Sequence, residues 1–163
     1  MATPQGYSRT QIALHWVVAI LIAGQFIFHE AMSDAWDIIE DGGAISFDPL
    51  VSLHVFGGIA VLAFALWRLV LRQARGVPPP PATAPPLSRL AAHAGHIALY
   101  ALMILMPVSG VVAWFGGVEA AAEAHEAMKP ALIVLVLVHV GASLWHQFWL
   151  KDGLLLRMKK AQD

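Results

Sequence analysis

The sequence predicts an all-α integral membrane protein, an up-and-down four-helix bundle with both termini cytoplasmic. Three observations carry this. The 163 residues are 58% hydrophobic and only 13% charged, and their mean hydropathy is +0.66, whereas a soluble domain has roughly 25% charged residues. Four stretches, 11–31, 50–72, 88–115 and 125–150, each supply the roughly 20 apolar residues that a spanning helix needs. Lys and Arg fall almost wholly on one side of these stretches, and that side is the cytoplasmic one. The whole chain, 1–163, reads as one domain.

The first span holds QIALHWVVAILIAGQFIF. His15 and Gln25 inside it, and the lack of a small-residue cleavage site, argue against a removed signal peptide. The acidic segment from Met32 to Pro49 follows, with Gly42-Gly43 as a turn, and reads as an outer loop. The second span places His54 near its outer start and Gly57-Gly58 one turn later. Arg68 lies close enough to its inner end to snorkel. VPPPPATAPP, residues 77–86, is an extended polyproline-like connector. The third span carries Pro107 and Gly110 late in its course. The fourth has its apolar centre after Pro130 and reaches back toward His125. Most of the tryptophans lie near span ends, as interface anchors do.

The charges then sort cleanly. Arg9, Arg72, Arg75, Arg89, Lys151, Arg157, Lys159 and Lys160 are cytoplasmic. The other side holds Lys129 as its one base, against Glu30, Asp34, Asp37, Glu40, Asp41, Asp48, Glu119, Glu123 and Glu126. That side is periplasmic or equivalent. The formal net charge of −1 gives no sign of nucleic acid as a partner. With no cysteine, disulfides, zinc–thiolate sites, iron–sulfur clusters, c-type haem attachment and thiol nucleophiles are excluded. There is no nucleotide-binding glycine fingerprint and no P-loop.

Eight histidines in so apolar a chain need a reason, because ionisable groups inside a span are costly. His125 and His139 are fourteen residues apart. At about 100° and 1.5 Å per residue they share one helix face, about 21 Å apart along the axis. His54 starts its span outside, at the depth of His125. His15 starts its span inside, toward the level of His139. Two cross-helix pairs result, His54 with His125 and His15 with His139, each suited to the two axial positions of a b-type haem in a helical bundle. Other readings stay open. The rings can be core histidines hydrogen-bonded between helices. Glu123 and Glu126 beside His125 can contribute to a zinc site. A histidine-lined proton or metal transporter without haem is a third.

Several separated blocks resemble the bacterial cytochrome b561 family, small di-haem membrane cytochromes. They are YSRTQIALHW at the start and LHVFGGIAVLAFALWRLVLR around His54 and Arg68. LAAHAGHIALYALMILMPVSG and LVHVGASLWHQFWLKDGLLLRM supply the rest. The resemblance covers nearly the whole chain and is weakest in the acidic outer loop and from Gly116 to Met128. It implies two haems b (iron protoporphyrin IX), both using the fourth span, with His15, His54, His125 and His139 as iron ligands. It implies electron transport in the bacterial inner membrane, from a periplasmic donor to the quinone pool, with ubiquinone as acceptor. Superoxide:ubiquinone oxidoreductase activity is attributed to some members, while others serve dedicated periplasmic redox proteins. Which role applies here, and whether the chain pairs as a homodimer, the resemblance leaves open.

The remaining candidates divide between function and packing. His93 and His96, one turn apart at the inner start of the third span, are candidates for a propionate or quinone contact, or for a capping pair. His146 shares a face with His139 and lies about 10 Å nearer the cytoplasm, so it competes with His139 as a ligand. His29 reads as a solvated interfacial residue. Arg68, inside a span, is the best candidate for pairing with a haem propionate. Gly57 and Gly58 admit either a flat macrocycle or a neighbouring helix. The acidic loop suits a basic donor protein and repels superoxide unless Lys129 or His125 offsets it locally.

Overall fold

Ser8 starts the first helix. Its Oγ accepts from the Gln11 amide at 3.2 Å, and the Gln11 side chain accepts from the Ser8 amide at 3.0 Å, a reciprocal cap. From there a computed structural model describes residues 4–81 and 84–162. It holds five α-helices: α1 (Arg9–Ile27), α2 (Glu30–Glu40), α3 (Pro49–Arg75), α4 (Pro86–Gly116) and α5 (Glu119–Trp145). A π-helical turn (His146–Leu150) continues α5, and a 3-10 turn (Leu154–Met158) follows. The described residues contain no strand. Asp48 caps α3 by accepting from the Leu50 amide at 2.6 Å, with Pro49 at the first helical position. Gly76 ends α3 at φ 78°, a conformation that side chains resist.

α1, α3, α4 and α5 with its π turn are the four helices long and apolar enough to cross a membrane. Their surfaces fit lipid rather than water, since large apolar side chains point outward: Phe56 is 67% exposed and Leu137 65%. α1 packs on α3, α3 on α4 and α4 on α5, while α2 lies against α3. The tightest packing joins Val18 of α1, Val61 and Ala65 of α3, and Met103 of α4.

The expected spans differ from the helices at three places. α1 ends at Ile27 rather than near 31, and the acidic segment expected as a loop folds into α2. Its apolar residues Met32, Ala35, Trp36 and Ile39 recur at helical spacing, and Ala35 is buried. α5 begins at Glu119, six residues before His125, through the Ala-rich run 120–124, a strong helix former.

The basic end is stitched together by its three chain segments. The Gln162 amide donates to the Tyr7 carbonyl at 3.0 Å. Trp16 Nε1 donates to the Met158 carbonyl at 2.9 Å, Gln11 Nε2 to the Gly76 carbonyl at 3.2 Å, and Arg157 to the Pro79 carbonyl at 2.6 Å. Burial pushes the Tyr7 phenol above its ordinary pKa, although Arg72, Arg157 and Arg68 pull the other way.

Candidate haem-binding site

α5 is packed closely on α4 and not on α1 or α3, yet its two histidines face rings from those two helices. At the acidic end His54 of α3 and His125 of α5 have ring centres 6.3 Å apart. At the basic end His15 of α1 and His139 of α5 have ring centres 6.1 Å apart. A metal bound to two imidazoles through bonds of about 2.0–2.1 Å sets their ring centres roughly 6 Å apart. At the acidic end the space between the backbones is a cavity lined by both rings. The residues present therefore fit two bis-imidazole haems.

The pair at the acidic end is prepared for this in detail. His125 Nδ1 lies 2.8 Å from the Met106 carbonyl oxygen, which can only accept. The ring therefore carries its proton on Nδ1 and leaves the Nε2 lone pair for a metal, the usual arrangement behind a ligating histidine. Ser109 Oγ donates to the same carbonyl at 2.8 Å. A Cβ at Gly110 would lie 3.2 Å from the His125 ring, so the glycine makes room for the imidazole. His54 Nδ1 is buried with no hydrogen-bond partner, so this ring, unlike His125, has no acceptor that fixes its tautomer. A cavity of about 460 Å³ lies between the helices, lined by His54, His125, Gly58, Met103, Met106 and Pro107 among others. That is the volume range of cofactor sites.

The two adjacent glycines face different neighbours. A Cβ on Gly57 would strike the amide end of the Gln25 side chain of α1, a flexible group that can move aside. Gly58 lines the cavity, and a Cβ there would meet nothing within 4 Å. His29 also lines the cavity toward its mouth, together with Asp37, Glu40, Glu123, Glu126 and Lys129. Lys129 is paired with Glu126.

The pair at the basic end sits in a polar cluster. His96 of α4 joins it, with ring centres 5.5 Å from His139, and its Nδ1 donates to the Ala92 carbonyl at 2.6 Å. Arg68 Nη2 donates to His15 Nδ1 at 3.2 Å, and the guanidinium lies 5.7 Å from the Tyr100 ring centre, within cation–π range. Of the two candidates one turn apart, both exposed, His96 joins the cluster through its ring contact with His139. His146, the competitor of His139, turns away to Asp152, 2.5 Å from its Nδ1. The described residues bring no three His, Asp or Glu side chains together around one point suited to a metal ion. Met106, Ser109 and Gly110 were not singled out as site residues by sequence reasoning. The nearest signal was the Pro107/Gly110 pair late in a span.

Comparison with known proteins decides the family. Residues 6–161 match the family described as prokaryotic cytochrome b561. The chain belongs to this family. It is 40% identical to a protein named cytochrome b562 from Cereibacter sphaeroides, over 98% of this chain and 99% of that one. It is 30% identical to cytochrome b561 homolog 2 of Escherichia coli, over 96% of this chain and 92% of the relative. It is 28% identical to a protein named probable superoxide oxidase CybB from Yersinia pestis, over 93% and 94%. As a member of the cytochrome b561 family it is a multi-pass membrane protein of haem b electron transport.

Proposed function

We propose that this single-domain protein moves electrons across the bacterial inner membrane, from a periplasmic donor to ubiquinone, with both termini cytoplasmic. His54 with His125, and His15 with His139, would hold two haems b. The observation that carries this reading is the pair of imidazole couples, 6.3 and 6.1 Å between ring centres, at two levels of one bundle. When bound, the haems supply one-electron redox couples with no open metal position. The chain does the rest. Met106 and Gly110 orient His125, and Arg68 offers the inner site a cation that can pair with a carboxylate.

The test is a spectrum of detergent-purified protein, oxidised and reduced, with a haem count. About two low-spin haems b per chain is the expected result for two bis-imidazole sites. Single His→Ala changes at His54 or His125, and separately at His15 or His139, each remove one of the two. A colourless folded protein overturns the reading and favours a histidine-lined transporter.

The donor follows from charge. Asp37, Glu40, Glu123 and Glu126 ring the cavity mouth, and the one base there is neutralised by Glu126. This rim repels an anion such as superoxide and attracts a cationic redox protein. We favour a dedicated basic donor protein over superoxide. A donor-dependent reduction rate that falls steeply with salt supports this, and fast reduction by superoxide that is indifferent to salt overturns it.

A further inference from the structure

The end of α5 holds a feature that electron transfer between the histidine pairs does not use. The helix widens into a π turn at His146–Leu150, a form that concentrates at functional sites. Lys151 follows at φ 51°, a left-handed conformation that is strained for a side-chain-bearing residue. Together with the 3-10 turn, this bend encloses a niche of about 320 Å³ lined by Gln147, Phe148, Lys151, Gly153 and Leu156. Gln147 Oε1 is buried there without a hydrogen-bond partner. Phe148 and Leu156 are exposed at the rim, so the niche has an apolar border open to the membrane interface. Beside it, His146 donates from Nδ1 to Asp152, and Asp152 also accepts from the Leu154 amide at 3.0 Å.

We propose that this niche binds the headgroup of a para-quinone, with Gln147 and Lys151 on its oxygens and His146 as a proton donor. This rests on the quinone-acceptor reading above and gives that reading a place. The chemistry matches in each part. A side-chain amide donates to a quinone carbonyl and accepts from a quinol hydroxyl, so it serves both redox forms. The Lys151 ammonium donates to the carbonyl oxygen. Phe148 and Leu156 cover the ring, and a prenyl tail leaves through the apolar border. The niche begins about 12 Å beyond His139 along the same helix, within reach of the inner histidine pair. Reduction adds two electrons and two protons and turns both carbonyls into hydroxyls. The electrons come through the chain's own transfer activity. One proton leaves His146 Nε2 while Nδ1–H stays on Asp152, and water returns it from the basic end. Water supplies the second proton.

The experiment uses the haem-loaded full chain in lipid nanodiscs and an azido-substituted short-chain ubiquinone. The reduced wild-type protein should pass electrons to this probe, and photolabel should map to residues 146–156. Gln147→Leu should raise the KM for the probe about tenfold, the loss of one hydrogen bond to a buried polar group, and weaken the label, with haem content and spectrum unchanged. Leu156→Trp, which fills the niche from its rim, should do the same. Asp152→Asn should lower kcat more than it raises KM, because it frees the His146 ring without emptying the niche. If the wild type reduces the quinone but label falls elsewhere, or both filling variants label and turn over normally, the niche proposal is overturned and the acceptor reading stands. If the wild type neither reduces nor labels with the probe, the acceptor reading falls and the niche with it.

Discussion

His125 is held by Met106: its Nδ1 lies 2.8 Å from that residue's main-chain oxygen, across the α4–α5 seam. The bond fixes the tautomer, and Gly110 leaves the ring its space. Gly110→Ala puts a methyl group 3.2 Å from the ring, while Ala in place of a helical Gly gains about 0.5–1 kcal/mol. Crowding in a packed site costs about 1–3 kcal/mol, so fold stability changes little and the cost falls on the imidazole. The expected outcome is a folded protein with about half the wild-type haem, its remaining signal from the inner pair. A haem count together with thermal unfolding checks it.

Gly57 and Gly58 should respond in different ways. Gly57→Ala brings a methyl group against the amide end of the Gln25 side chain, a flexible group that can swing aside, so stability and haem content should both change little. Gly58→Ala meets no neighbour and should hold or raise helix stability while narrowing the cavity. Unfolding midpoints in detergent should fall for neither. Haem content should fall for the second at unchanged stability.

Most of the architecture was legible because a spanning helix announces itself by length and hydropathy, which need no partner to be read. The histidine pairs were legible because fourteen residues return an α-helix to the same face, and because depth and spacing both follow from position along the chain. What stayed hidden depends on contacts. Gly57 and Gly58 are adjacent in sequence and face different neighbours, so only packing assigns them. The Met106 carbonyl is anonymous in a sequence, since every residue has one. The π turn after Trp145 arises where α5 meets the tail, and no residue pattern there marks it. α2 was hidden for another reason. Its eleven residues are too few and too acidic for a membrane span, so the length test passed over an amphipathic pattern that was present.

The His146–Asp152 pair gives the basic end a pH dependence. Burial works against the Asp152 carboxylate. The bonds from His146 and the Leu154 amide, backed by the charges of His146 and Arg157, nevertheless hold it below the usual carboxylate range. A depressed folded pKa means that stability from this group is complete above the unfolded value of about 4. It is lost as pH falls through the folded value. Asp152→Asn should therefore unfold at a lower temperature than wild type near neutral pH. The two curves should converge as the medium is taken below about pH 4. Parallel curves down to that pH would show that Asp152 makes no linked contribution.

Arg68 and His15 set up the last prediction. A guanidinium only donates, so the 3.2 Å contact makes His15 Nδ1 an acceptor and places the neutral ring's proton on Nε2. Iron ligation through Nε2 requires the other tautomer, with Nδ1 as the donor. Ligation at His15 therefore turns Arg68 off the ring while leaving it in the inner cluster, beside Tyr100, where a propionate can take the guanidinium. A fixed positive charge near the inner site favours the reduced, less positive iron. Arg68→Leu should lower the midpoint potential of the inner haem by about 50–100 mV, the size of a unit charge several ångströms away in an effective dielectric near 20. The outer haem, on the far side of the bundle, should shift much less. Arg68→Lys keeps the charge and should restore most of the potential without the planar, two-pronged geometry of the guanidinium. Redox titration of the purified protein followed in the visible bands separates the two haems. Equal shifts at both would show that Arg68 acts through the fold rather than as a local cation.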